Sequence, residues 1–496
     1  MSEHFDVLVV GAGLSGVGAA YWLQKECPRK TFAIIEGRAR KGGTWDLFRY
    51  PGIRSDSDMF TLGYAFKPWT DPKAIADGPS ILRYIDDTAR EYGIDKKIRY
   101  DQRMVSASFS SADARWTVQV DHAGERIVYT CNFLYMCTGY YRYESGYTPD
   151  FAGVADFRGR IVHPQAWPED LDYTGKRVIV IGSGATAMTL VPEMAKTAGH
   201  VTMVQRSPTY VIARPSKDAV ADFLRAKLPD RAAYSLVRWK NVLFGMYIYN
   251  LCKKKPQKVA DHLIGLVRKQ LKPGYDVARD FTPRYNPWDQ RLCLITDGDL
   301  FAAINEGRAS VATDTIERFT EKGLKLAGGQ EIEADVVVMA TGLALQQFGG
   351  AELAVDGRKV ELSKTLNYKG MMFSDVPNLA ATFGYTNASW TLKADLIAQY
   401  ACRILNAMDA KGMKIAVAHN DDPNMPVEDF VDFSSGYFQR ALATLPKQGA
   451  RKPWRLYQNY IKDLLSLRYG GLEDGALRFS NPSAKAGAEK REKEAA

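Results

Sequence analysis

The first apolar run, F-D-V-L-V-V from Phe5 to Val10, has the nearly unbroken hydrophobicity of a parallel strand covered on both faces. A second run, Thr31 to Ile35, ends at Glu36. Between them Gly11 to Gly16 turns into a helix that the pattern carries through Ala19 to Gln24. Gly42 to Asp58 reads as loop, and residues 79 to 92 carry helical periodicity. Met104 to Ser110, Arg115 to Val120 and Arg126 to Cys131 alternate every second residue, which predicts a small antiparallel meander. The chain returns as a buried strand, Phe133 to Met136, ending in Cys137-Thr138-Gly139. Arg177 to Ile181, a turn at Gly182 and His200 to Val204 repeat the opening unit. Residues 218 to 275 are helical in pattern and carry no glycine phosphate turn, and Asp335 to Ala340 is one more buried strand.

Two strand–turn–helix–strand units predict an α/β chain with two Rossmann-like dinucleotide-binding domains. The expected division is 1–140 for the first part of one domain and 141–342 for the second, with a helical insertion at about 214–285. Residues 343–481 then complete the first domain, and 482–496 form a disordered tail rich in Lys, Glu and Ala.

At 496 residues the chain is too long for one ordinary core. Its 46% hydrophobic and 25% charged residues suit a globular protein. The net charge of +9 comes from Lys and Arg spread along the chain. With no zinc-knuckle or RNA-binding signature, a nucleic-acid partner is not expected. Six cysteines stand at 27, 131, 137, 252, 293 and 402, with no C-x-x-C pair. A disulfide framework, a zinc or other metal site and a redox dithiol are therefore not expected, and a reducing cytoplasm is. The first strand starts too early to leave room for a signal peptide. No run reaches the roughly 18 apolar residues of a spanning helix. The apolar stretch Val242 to Cys252, followed by Lys253, Lys254 and Lys255, allows weak membrane-surface association. Core packing, or the wall of a substrate tunnel, is the favoured reading.

Gly11, Gly13 and Gly16 form G-x-G-x-x-G in register with strand, helix and Glu36. Such a turn lets backbone N–H groups approach a pyrophosphate, while the acid binds the adenosine ribose. Gly182, Gly184 and Ala187 repeat it as G-x-G-x-x-A, but the next strand ends in Gln205-Arg206-Ser207 without a carboxylate. Arg206 can grip a 2′-phosphate that an acid would repel, so this site is expected to prefer NADPH over NADH.

Phe157, Gly159, His163, Trp167 and Pro168 fall in the pattern F-x-G-x-x-x-H-x-x-x-W-P. Alone, that stretch reads as an interdomain linker with a packed Trp and a hydrogen-bonded His. Gly42 to Asp56, G-G-T-W-D-L-F-R-Y-P-G-I-R-S-D, reads alone as an omega loop. Together they resemble the fingerprints of class B flavoprotein Baeyer–Villiger monooxygenases. With N-P-W-D-Q-R-L-C-L and G-Y-T-N-A-S-W-T-L-K-A-D, the chain resembles the ethionamide-activating branch of that family to about residue 480.

The resemblance implies that the first domain binds FAD and the second NADP, joined by the stretch around His163. It implies oxidation of ketones to esters or lactones by NADPH and O2 through a flavin C4a-peroxide, with thioether sulfoxidation beside it. Ser15, Glu36, Thr44, Trp45, Asp46, Leu47, Asp56 and the backbone of Met104 would hold FAD. Arg54, Ser55, Asp56, the turn Ser183, Gly184, Ala185, Thr186, Ala187, Met188 and Thr189, and then Arg206 and Ser207, would touch NADPH. Arg291 matches the catalytic arginine, and Asp56 the carboxylate that positions it. A permanent guanidinium charge suits that role, because it stabilises an anionic oxidant and the anionic adduct without protonating either. Gln290 stands where many relatives carry a lysine toward the 2′-phosphate, which implies a weaker NADP selectivity that rests on Arg206. Trp390 would line the substrate pocket or simply pack. Two rivals remain: a heteroatom-hydroxylating flavin monooxygenase, whose fingerprint lacks the Trp167-Pro168 pair, and a non-catalytic flavin-binding protein, which needs only one cofactor site.

Overall fold

A computed structural model describes residues 2–482, so the tail expected over 482–496 lies outside the described residues except for its first position. The opening unit is β1 (Glu3–Val10), α1 (Leu14–Glu26) and β2 (Phe32–Ile35). The segment expected to be loop contains α2 (Thr44–Leu47) and is followed by α3 (Met59–Leu62) and α4 (Gly78–Glu91). Helix α4 starts where the Asp77 carboxylate accepts from the Ser80 N–H at 2.8 Å, an N-cap with a proline just inside the first turn. Then come β3 (Ile98–Arg99), β4 (Arg103–Ser110), β5 (Arg115–His122) and β6 (Glu125–Met136).

The separate strands expected at Arg126 to Cys131 and Phe133 to Met136 are one strand, β6. Asn132 interrupts the alternation without a turn: its Nδ2 donates to Asp6 Oδ1 at 3.1 Å, and its carbonyl accepts from Asn378 Nδ2 at 2.9 Å. The change of pattern marks a change of neighbour. The first half of β6 pairs antiparallel with β5, and its end pairs parallel with the short strand Leu379–Ala381. The meander is therefore continuous with the central sheet rather than an appendage.

The chain next builds β7 (Arg160–Val162), β8 (Arg177–Ile181), α5 (Ala185–Met194), β9 (His200–Gln205) and β10 (Val211–Arg214). The insertion is helical as expected, with α6 (Ala219–Arg225), α7 (Asp230–Lys254), α8 (Pro256–Gln270) and α9 (Val277–Phe281). After it follow β11 (Cys293–Thr296), α10 (Asp299–Asn305) and β12 (Ala309–Thr313). A three-stranded hairpin sheet comprises β13 (Ile316–Thr320), β14 (Gly323–Leu326) and β15 (Glu331–Glu333), and β16 (Val336–Met339) follows it. Then come β17 (Glu352–Val355), β18 (Arg358–Lys359) and the long helix α11 (Trp390–Lys411), which packs on α1, and short strands and helices follow it as far as Leu477–Ser480.

Two sheets result. The larger runs β18-β17-β4-β5-β6-β1-β2-β3, and the smaller is wholly parallel, β12-β9-β8-β16-β7. The stretch expected to be a linker supplies the edge strand of the smaller sheet, because the Arg160–Val162 backbone finds a partner in β16. Phe157 is buried against Phe319 beneath that sheet, with ring centroids 6.2 Å apart. Burying such a ring contributes about 1.5–3 kcal/mol. Gly159 fits because any Cβ there would meet the Phe157 ring at 2.4 Å.

The apolar stretch Val242 to Cys252 corrects another expectation. Only Val242 and Cys252 are buried, while Leu243, Phe244 and Tyr247 face outward. Among the described residues, no helix is long and apolar enough to cross a membrane.

Candidate functional site

Both glycine turns sit at the C-terminal ends of parallel strands, where open α/β sheets bind ligands. Gly11, at φ +102°, lies against β6: an added Cβ would stand 2.6 Å from the Cys137 carbonyl oxygen. Gly182, at φ +132°, lies likewise against the end of β16, with a Cβ position 2.3 Å from the Ala340 oxygen. Helices α1 and α5 begin at Gly13 and Gly184 with no side-chain cap and no acid in the first turn. Their first N–H groups thus remain available to an anion, and the helix dipoles favour one. Glu36 accepts from the Ala12 N–H at 2.8 Å and the Arg38 N–H at 3.1 Å. Burial pushes its carboxyl above the usual range, and these two donors oppose that.

The turns open on one cavity of about 1150 Å³. That exceeds the roughly 300–1,000 Å³ of an ordinary ligand pocket and suits two dinucleotides. Its wall includes Gly11, Gly13, Ser15 and Glu36 from the first unit, and Thr44, Trp45 and Leu47 from α2. Arg54, Ser55, Asp56 and Met104 also reach it. The second unit contributes Gly182, Ser183, Gly184, Ala185, Thr186 and Thr189, with Arg206 and Ser207 exposed just beyond β9.

Some expected contacts lie elsewhere. Ala187 and Met188 are buried in the core between α5 and the smaller sheet, because helical rotation turns them away from the cavity. Gly16 is not on the wall; a Cβ there would meet the Gly11 oxygen at 1.8 Å, so it permits close helix–strand approach. Asp46 is buried under Arg38, 2.8 Å away, and Arg49, 3.3 Å away, and braces the loop rather than facing the cavity. Trp390 is both on the cavity wall and packed. It lines the cavity, and it packs against Tyr140 at 5.2 Å while its indole N–H donates to Ser15 Oγ at 2.7 Å.

At the cavity wall Arg291 donates through Nε to Asp56 Oδ2 at 2.8 Å, and its Nη2 lies 2.7 Å from the same oxygen. A third of each side chain stays open to the cavity, so the guanidinium retains donors for a ligand. The Asp56 carboxylate is the main influence holding Arg291 firmly cationic. Three tyrosines that no local motif marks, Tyr140, Tyr141 and Tyr437, surround this pair, and burial raises all three phenols so that they remain neutral donors. Tyr140 and Tyr141 directly follow Thr138-Gly139 at the end of β6. Tyr437 comes from far along the chain and offered no signal.

His163 sits behind the wall. Its Nδ1 accepts from the Gln165 N–H at 3.1 Å, and its ring presses on Gly146, where an added Cβ would stand 2.0 Å from it. The neighbouring Tyr147 N–H donates to the Gly342 oxygen at 3.0 Å, which ties together the two segments that cross between the sheets. Burial holds His163 below its ordinary value of 6.5, so it is neutral at pH 7. Acidification below that value works against the fold, since the unfolded chain then takes up the proton more readily. His163→Ala is expected to keep flavin bound but to slow NADPH oxidation and product formation together, as measured by flavin absorbance and steady-state turnover. Wild-type rates would reduce His163 to packing.

The flavin-binding monooxygenase-like family matches residues 71–410, and a NAD(P)-binding Rossmann-like domain matches residues 9–71. The chain is 53% identical to the FAD-containing monooxygenase EthA of Mycobacterium tuberculosis (strain ATCC 25618 / H37Rv), over 98% of this chain and all of that one. It is 48% identical to the probable FAD-binding monooxygenase AlmA of Acinetobacter baylyi, over 97% of both chains. In fold it is similar to an oxidized steroid monooxygenase bound to NADP, with a TM-score of 0.76 at 21% identity over 96% of this chain and 100% of that one. A cyclohexanone monooxygenase gives a TM-score of 0.74 at 18% identity over 97% of this chain and 100% of that one.

Proposed function

The chain belongs to the flavin-binding monooxygenase-like family, and from that premise we propose that it is an NADPH- and O2-dependent Baeyer–Villiger monooxygenase converting ketones to esters or lactones. The observation that carries this reading is the Arg291–Asp56 pair on the same cavity as both anion-ready glycine turns. In the proposal FAD lies on the first turn with its ribose toward Glu36, and NADPH on the second with its 2′-phosphate toward Arg206. Bound FAD supplies the redox chemistry that takes up hydride and activates O2. The chain's residues bind, orient and stabilise. Arg291, fixed by Asp56, places a permanent positive charge where negative charge develops on oxygen during attack on the ketone. Tyr140, Tyr141 and Tyr437 narrow the space beside it and limit water. Thioether sulfur, a soft nucleophile, is a second substrate class for the same cavity.

The test is product analysis of purified, flavin-loaded protein with NADPH and a panel of linear, cyclic and aryl ketones plus a thioether. Ester or lactone gaining one oxygen atom is the expected product. Sulfoxide or N-oxide without any ester would favour the heteroatom-hydroxylating reading. NADPH oxidation yielding only hydrogen peroxide from every compound would oppose both.

The coenzyme assignment has its own consequence. A charge-assisted contact to phosphate is worth about 1.5–3 kcal/mol. Arg206→Ala should therefore raise the KM for NADPH roughly tenfold to a hundredfold and leave that for NADH nearly unchanged. Equal wild-type efficiency with both coenzymes would remove Arg206 from this role.

A further inference from the structure

The insertion carries an outward apolar stripe that the proposed chemistry does not use. On α7, Leu236, Trp239, Leu243 and Tyr247 recur at helical spacing on one face, with Phe244 beside them, exposed from 38% at Trp239 to 62% at Tyr247. Helix α6, packed against α7, exposes Val220 and Phe223 as well. Isolated exposed apolar residues are ordinary, but five on one helix are not.

The charge around the stripe is one-sided. Lys and Arg are spread along the chain, but the net charge is not: residues 217–255 hold nine Lys and Arg against three Asp, six of the chain's nine net positive charges in a short segment. One of the nine, Arg238, is buried and donates to the carbonyls of Phe60 and Gly63 at 2.7 and 2.8 Å, so it anchors α7 instead of facing solvent. The exposed cations include Lys217, Lys227, Arg231, Lys254 and Lys255. Two cations lie over aromatic rings: Lys227 is 4.3 Å from the Phe223 ring centroid, and Arg214 is 5.6 Å from that of Phe244. Aromatic and aliphatic side chains flanked by basic ones suit the boundary between anionic headgroups and acyl chains.

The inner face of the same helix leads to the site. Val242 packs with Tyr385 and Leu392, and Met246 and Ala388 join that cluster. Tyr385 and Ala388 line the cavity that holds Arg291. One helix thus separates the exposed stripe from the wall of the candidate site.

We propose that the outer face of α7 docks on an anionic lipid membrane surface, from which apolar substrates partition into the cavity. The substrate part rests on the oxygenase reading above; the docking part does not. Among the described residues no helix is long and apolar enough to cross a membrane, which fits a surface contact rather than insertion. An apolar stripe alone would suit a protein partner or a second copy equally well, and the concentration of positive charge around it favours anionic lipid.

The experiment is flotation of the flavin-loaded full chain with vesicles of phosphatidylcholine, alone or mixed with phosphatidylglycerol. Binding to the mixed vesicles, weakened by salt, is the expected result. Leu243→Asp/Tyr247→Asp should lower that binding at least about tenfold, and Lys227→Glu/Lys254→Glu should lower it as well. Both double variants should keep wild-type flavin content and activity on a water-soluble ketone, since these side chains are exposed and none of them lines the cavity. Activity on a long-chain ketone held in mixed vesicles should fall. No flotation of the wild type, equal flotation with pure phosphatidylcholine, or unchanged binding by Leu243→Asp/Tyr247→Asp would each overturn the docking proposal. A wild type that sediments as a dimer and becomes monomeric on that substitution would overturn it in favour of a self-association surface. Docking without any ester product would leave the docking standing and sink the oxygenase reading.

Discussion

Replacing Gly182 by alanine is expected to leave a yellow, flavin-loaded protein that NADPH no longer reduces, whereas replacing Gly11 should abolish flavin binding itself. Both glycines adopt a positive φ that side chains with a Cβ disfavour, and both press on a backbone carbonyl at the end of the adjacent strand. At Gly182 the added carbon would come within 2.3 Å of the Ala340 oxygen, and at Gly11 within 2.6 Å of the Cys137 oxygen. Neither carbonyl can retreat cheaply, because β16 and β6 are paired with strands on both sides. The turn must therefore open, carrying its N–H groups away from the pyrophosphate. The left-handed conformation alone costs about 1–2 kcal/mol, and the clash adds to it. The measurements are bound flavin from the visible spectrum, anaerobic reduction by NADPH, and reduction by dithionite as a control for a competent flavin. Because Gly11 presses on the end of β6 within the larger sheet, Glu36→Ala serves as the milder partner, with weakened FAD affinity in a chain whose thermal unfolding stays cooperative. Loss of flavin from the Gly182 variant alone would reverse the assignment of the two turns.

The turns were legible because everything that defines them is local. Strand, glycine spacing, helix and terminal acid or arginine all fall within about forty residues, and the hydrophobic pattern sets their register. The fingerprint stretch was legible as a pattern but not as a strand. Its pairing depends on β16, which lies far along the sequence and which no periodicity in Arg160 to Val162 could reveal. Helix α7 shows the opposite failure. Its apolar run reads as core or tunnel wall because hydrophobicity alone does not say which side faces the protein. The buried side is fixed instead by Arg238 and Tyr234 binding the carbonyls around α3. The centre of the site was the least legible part. Arg291 and Asp56 stand 235 positions apart, and Trp390 and Ser15 stand 375 apart, so only resemblance could join the first pair. Tyr437 had neither motif nor resemblance to announce it.

Arg291→Ala should separate the chemical steps more sharply than any other change in this chain. Its guanidinium sits on the cavity wall, held by two contacts below 3 Å to one carboxylate oxygen of Asp56, and a third of it remains open. Flavin should stay bound in the variant, because the first turn and Glu36 lie apart from this pair. Reduction by NADPH should persist, perturbed only by the loss of a nearby charge. Ester formation should fail, since oxygen transfer to a carbonyl carbon builds negative charge on oxygen, and the groups left beside it, Asp56 and the neutral phenols of Tyr140, Tyr141 and Tyr437, carry no positive charge. One preorganised donor at such a position is worth about 2.7–4 kcal/mol, or about 10²–10³ in rate, and removing a whole cation should cost at least that. Arg291→Lys should recover little, because an ammonium cannot contact Asp56 through two nitrogens and still present donors to the cavity. Asp56→Asn should fall between, keeping the cation but loosening its position. Anaerobic reduction followed by rapid mixing with oxygen and ketone measures the two half-reactions in one instrument. Should the alanine variant still yield ester near the wild-type rate, Arg291 is a structural ion pair and the catalytic centre lies elsewhere on the cavity wall.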